Sequence, residues 1–219
     1  MPDLTFLNQI STFIAICTAI YGLNSWRREH RGKRQAELCE DALTLFYEAK
    51  SVIGYVRSPA SFTSETDEIV RQEAESIQKY QARKAAFVVF KRFRDHKELF
   101  AKIHAMRYRF MAQIGKEQAE PFEELRRVQN EIQLAAEMLS HLWAKTYYRT
   151  EDQLESDRTM VKKYESIFWE GMAEAYGLKD DIPERIDALI SNLEKTSKTI
   201  IEGRGWISGF LDRKLGRER

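Results

Sequence analysis

The stretch LTFLNQISTFIAICTAIYGL, residues 4–23, contains no charged side chain, and NSWRREHRGKRQ, residues 24–35, follows it directly. At 1.5 Å of rise per residue, a helix of about twenty residues covers roughly the 30 Å hydrocarbon core of a bilayer. Leu4, Phe6, Ile10, Phe13, Ile14, Ile16, Ile20 and Leu23 supply the apolar surface of the expected span. Two other readings compete with it. A secretory signal peptide carries its basic residues ahead of the apolar run, whereas here Asp3 comes first and the basic cluster last. A buried core helix would accommodate Asn8, Gln9, Ser11 and Thr12. Leu, Ile and Phe each favour insertion by about 0.5 kcal/mol; the nine in this stretch outweigh its polar groups without making insertion strong.

The flanks orient the span. Arg27, Arg28, Arg31, Lys33 and Arg34 face only one acid, Glu29, and nothing basic precedes the apolar run. The positive-inside rule leaves a short amino terminus outside and the remainder in the cytoplasm, as a single pass through the inner membrane. Trp26 and the five basic residues then meet lipid headgroups, at about 1 kcal/mol per basic residue near an anionic surface. Within the run, Asn8, Thr12, Ala15, Ala19 and Gly22 recur at spacings of four and three. Small and polar groups on one stripe allow close helix approach in lipid, so these five form the expected helix-association seam.

The rest of the chain reads as helix. Of 219 residues, 43% are hydrophobic and 32% charged, with only ten Gly and four Pro, a composition that favours long helices with polar outer faces. The formal net charge of +1 argues against a dedicated nucleic-acid binder. Cys17 and Cys39 make no disulfide framework and fit a reducing cytoplasm.

Leu38, Ala42, Leu45, Ala49, Val52 and Val56 continue the helical pattern until Ser58-Pro59 stops it. A polar connector follows, and a new helix is expected from about Glu65, with Asp67 and Glu68 in its positive first turn. It carries Ile69, Ile77, Tyr80 and Phe87 and ends in AAFVVF, residues 85–90, apolar all round and too short to span. Asp95 and Glu98 suit a capping box, marking a break. Leu99, Ile103, Met106, Phe110 and Ile114 form the next stripe, closed by Gly115. Pro121 opens another helix, whose Phe122, Leu125, Gln129, Ile132, Ala136, Leu139 and Trp143 are widened by Val128, Ala135 and Leu142 into a bundle-type face. Thr150 and Gln153 cap a helix running towards Tyr176, with Met160, Tyr164, Ile167, Phe168 and Met172 on its buried side. Asp181 and Glu184, with Pro183, open the last helix, carrying Ile186, Leu189, Ile190, Leu193 and Ile200. The tail alternates Trp206, Ile207, Phe210, Leu211 and Leu215 with arginine and lysine, as does a basic helix lying in a membrane interface; a final helix closing the bundle is the alternative.

No catalytic pattern is legible. His30, His96, His104 and His141 lack metal-site spacing, Glu137 with His141 reads as a surface pair, and no phosphate loop or nucleophile elbow occurs. Lys91-Arg92-Phe93-Arg94 and Arg107-Tyr108-Arg109-Phe110 interleave bases with aromatics, but on helices the aromatics would turn inward and the arginines outward.

The expected fold is all-α: an N-terminal single transmembrane helix followed by a cytoplasmic antiparallel bundle of long helices. The expected divisions are an anchor at 1–25, a juxtamembrane basic segment and first cytoplasmic helix at 26–58, a helical bundle at 59–203 and a basic amphipathic tail at 204–219. The expected role is that of a non-enzymatic interaction or scaffold protein at the cytoplasmic face. Its partners would be lipid and a protein or a second copy of itself, with no cofactor, metal or nucleic acid. A membrane-perturbing effector or defence accessory acting through clustered amino-terminal helices is the alternative.

Overall fold

The computed structural model describes the backbone of residues 4–145 and 150–202, and the side chains of residues 11–145 and 150–201. The described residues form helices, turns and connectors, without a strand. The helices are α1 (Leu4–Arg57), α2 (Ile77–Asp95), α3 (Lys97–Gln113), α4 (Glu120–Leu142), α5 (Glu151–Phe168), the single turn α6 (Met172–Ala175) and α7 (Ile182–Glu202). The sequence from residue 204 onward, with its expected amphipathic tail, lies outside the described residues.

The chain divides into two compact units, Met1–Asp41 with Glu194–Arg219, and Ala42–Leu193. In the first, Ala36, Leu38, Cys39 and Ser197 are buried. Burial, aided by the neighbouring Glu40 charge, pushes the Cys39 thiol up to about 11.

The second unit is a helical bundle. Helix α1 contributes Ala42, Phe46, Ala49, Ile53 and Val56, and it stops one residue ahead of Ser58-Pro59, where proline excludes helical geometry from the residue before it. Helix α4 is central, packing on α2 and on α5. Its Phe122, Leu125, Val128, Ile132, Ala135, Ala136, Leu139 and Leu142 are all buried, the wide apolar face its sequence predicts. Phe122 meets Phe46 edge-on at 5.1 Å and lies 5.2 Å from Phe110 of α3. Pro121 occupies the first turn of α4, and Gly115, at φ +150°, closes α3 through its N–H to the Phe110 carbonyl.

Two buried arginines hold helix ends. Arg92 of α2, 1% exposed, donates to the carbonyls of Tyr55 (2.8 Å), Val56 (3.2 Å) and Ser58 (2.9 Å), and pairs with Glu65 at 2.7 Å. It thereby serves the orphan carbonyls where α1 ends. Arg57, the last residue of α1, does the same for α5: it donates to Ile167 (2.8 Å) and Ser166 (3.0 Å) and pairs with Asp180 at 2.8 Å.

These contacts explain where the pattern misleads. The helix expected from about Glu65 begins at Ile77, with Ser76 as its N-cap. Upstream, Glu65 is drawn to Arg92 and bonds the Phe62 N–H (2.8 Å), folding residues 63–66 into a 3-10 turn. Glu75 pairs with Arg83 at 2.6 Å and takes the Gln72 N–H, so the intervening backbone turns. The break between α2 and α3 lies where Asp95 predicts it, but Asp95 binds Lys91 and the cap position is His96. The AAFVVF run is two-sided, with Ala86, Val88 and Val89 buried and Phe90 exposed. The helix expected from Thr150 to Tyr176 is interrupted after Phe168. Arg57 captures its last carbonyls, and Gly171 turns the chain at φ +79°. Of its predicted inner face only Phe168 is fully buried, while Met160, Tyr164, Ile167 and Met172 are half-buried.

Candidate functional site

The first candidate lies on α1. Every side chain from Ser11 to Asn24 is exposed, including Phe13 (69%), Ile16 (52%) and Ile20 (54%). At about 100° per residue, Phe13, Ile14, Ile16, Ile20, Tyr21 and Leu23 share one half of the helix circumference. Ser11, Thr12, Ala15, Thr18, Ala19 and Gly22 occupy the other half. A Cβ on Gly22 would meet nothing within 4 Å. The Thr18 hydroxyl donates back to the Ile14 carbonyl at 2.8 Å, so its polarity is met within the helix. The side chains of Leu4, Phe6, Asn8 and Ile10 lie outside the described residues. Among the described residues, no helix is long and apolar enough to cross a membrane; the described side chains begin at Ser11, inside the apolar run.

Arg27, Arg28, Arg31, Lys33 and Arg34 are exposed, and none has a carboxylate within ion-pair distance among the described residues. In the bundle, Arg83, Arg94, Arg126, Arg127 and Arg185 are ion-paired, while the exposed Arg109 and Arg158 are in no ion pair among the described residues. Trp26, 61% exposed, stacks on His30 at 5.6 Å. Tyr21, Asn24, Arg27, Arg28 and Arg31 line an open cleft of about 510 Å³.

The second candidate is a cleft of about 230 Å³ between α3 and α4 in the bundle. Phe100, Ile103 and Phe122 form its apolar wall, and His104, Arg107, Glu123, Arg126 and Asn130 its polar part. Arg107 Nη2 pairs with Glu123 Oε1, while Arg126 donates to Glu123 Oε2 through Nη2 (3.1 Å) and Nε (3.3 Å). The Arg107 guanidinium lies 5.3 Å from the Tyr108 ring.

The side chains of the two basic-aromatic clusters are divided between the core and the surface. Arg92 is inside rather than outside, bound to Glu65 and to backbone, because the α1 end offers it carbonyls. Lys91 and Arg94 are paired with Asp95 and Glu68, Phe93 and Phe110 are buried, and Tyr108 is exposed, not inward. Glu137 and His141 are both exposed. Among the described residues, no group of three His, Cys, Asp or Glu side chains could hold a metal ion.

A buried carboxylate, Glu165, was not evident from sequence. It accepts from Trp143 Nε1 at 2.8 Å and from the Tyr176 hydroxyl, inside a cluster where Trp143 stacks on Trp169 at 5.4 Å. Comparison with protein-family models, curated proteins and solved structures gives no match to this chain.

Proposed function

We propose that this chain is a single-pass membrane protein, anchored by the apolar run at 4–23, whose helical bundle docks another protein or a second copy at the cytoplasmic face. One observation carries this reading: the described part of the apolar run, residues 11–23, is exposed on all its sides and leads directly into five basic side chains that have no carboxylate within ion-pair distance among the described residues. Leaving Phe13, Ile14, Ile16, Ile20 and Leu23 in water costs about 1.5–3 kcal/mol each relative to burial, on the order of 10 kcal/mol together. A bilayer removes that cost, and anionic headgroups supply the counter-charge for Arg27, Arg28, Arg31, Lys33 and Arg34. Confinement to a surface raises the effective concentration for weak docking contacts.

Membrane fractionation tests the anchor. The full chain should resist alkaline carbonate and enter solution only with detergent; recovery in the soluble fraction without detergent would reject it. The face of Thr12, Ala15, Ala19 and Gly22 is the proposed contact between spans. Ala15→Leu with Ala19→Leu should weaken association in a membrane two-hybrid assay, and an unchanged signal would reject the seam. The same two-sided segment also suits a membrane-perturbing effector, in which clustered helices turn their small, polar faces inward. Depolarisation on expression would favour that reading over docking.

A further inference from the structure

We propose that the α3–α4 cleft binds a small organic oxyanion, a carboxylate or phosphate on a flat apolar body, through the guanidinium of Arg107. One donor of Arg107 is unmet. Arg107 Nε is buried and has no hydrogen-bond partner, and it is the only such side-chain nitrogen or oxygen among the described residues. Leaving a buried donor unpaired is destabilising, so such a group calls for a physical reason.

The reason is visible in how Glu123 is shared. The Nε–H and Nη2–H of an arginine form a fork that matches the two oxygens of a carboxylate or phosphate. Glu123 engages only the Nη2 prong of Arg107, because its other oxygen is taken by Arg126. One carboxylate thus serves two guanidiniums, leaving a surplus positive charge and half a fork unused. The other buried and half-buried arginines of the bundle fill the Nε prong: Arg57 uses it on Ile167, Arg83 on Glu75, Arg92 on Glu65, and Arg185 on Glu124.

The surroundings define the ligand class. Arg107 lines a cleft whose wall includes Phe100, Ile103 and Phe122, with His104 and Asn130 offering further polar contacts. At about 230 Å³ the cleft is smaller than the ~300–1,000 Å³ sites that hold drug-sized ligands, so the body is metabolite-sized. An incoming oxyanion would take both prongs of Arg107 and displace Glu123 wholly onto Arg126. Glu123 is therefore a competitor of the ligand, and this sets the sign of the test.

The experiment uses the full chain in a zwitterionic detergent, with benzoate and phenyl phosphate as probes and calorimetric titration as the readout. Glu123→Gln should tighten binding about tenfold by removing the competing charge. Arg107→Lys, which keeps the charge but lacks the fork, should weaken it by at least tenfold. A purely structural pair predicts neither result. In the unaltered protein, the Arg107 Nε–H resonance, assigned through its own side-chain connectivity, should shift on titration; this readout stands even where a variant fails to fold. A stationary resonance with both probes, or Glu123→Gln binding no tighter than the parent, overturns the proposal. Either result leaves the membrane reading untouched, since that reading stands on fractionation.

Discussion

Substituting Met for Arg92 removes a charge that is 1% exposed and leaves its partner behind. Glu65, 9% exposed, loses its cation, and the carbonyls of Tyr55, Val56, Ser58 and Ala60 lose their donor. Breaking a buried ion pair from one side costs about 3–5 kcal/mol. For a domain of this size each kcal/mol moves the midpoint by about 2–4 °C, so thermal melts followed by far-UV circular dichroism should fall by about 10 °C. The pH dependence supplies a second, independent sign. The hydrogen bonds from Arg92 hold the Glu65 carboxyl down to about 2, against an opposing push from burial. A folded-state value below the unfolded one gives stability that is present above about pH 4.5 and is lost as the pH falls towards 2. In the Met variant, acid instead relieves a buried, unpaired carboxylate. The gap between parent and variant should therefore narrow as pH is lowered from about 6 to about 3. A midpoint drop of under about 3 °C, or a gap that does not change with pH, would refute the account of Arg92.

Two other groups give separate checks. The Tyr176 phenol is pushed up to about 12 by its hydrogen bond to Glu165 and by burial; its contribution is full below about pH 10 and lost as pH rises towards 12. Tyr176→Phe should cost about 1 kcal/mol in denaturant melts and remove a late-ionising tyrosine from a spectrophotometric titration; an unchanged titration curve would contradict the Glu165 contact. Cys39, with its thiol raised to about 11, should resist iodoacetamide at about pH 8 in a Cys17→Ser background until the chain is denatured. Alkylation of the native protein would show that the thiol is not buried as described.

The parts of the fold legible in the sequence are those decided by contacts within one helix. The α4 face is apolar at every inward position from Phe122 to Leu142, and Pro121, Gly115 and Thr150 each mark an end by local backbone chemistry. Residues 65–75 read as helix because their acids suit a first turn. Their partners, Arg92 and Arg83, come from α2 and impose turns that no local pattern encodes. The interruption at Trp169 depends in the same way on Arg57, about a hundred residues earlier. Of the α3–α4 cleft, Arg107 drew notice for its aromatic neighbours, and Glu123 with Arg126 is an ordinary pair three residues apart. That the two arginines compete for one carboxylate emerges only when α3 meets α4.

The Arg57 clasp also orders events during synthesis. Its acceptors are Ser166, Ile167, Trp169 and Asp180, so a growing polypeptide cannot neutralise this guanidinium until those later residues have left the ribosome. Before then, burying the end of the first helix would bury an unpaired cation, which is costly. The amino-terminal segment emerges long before this latch can engage. Closure of the end of the first helix onto α5 is therefore a late event in the growing chain.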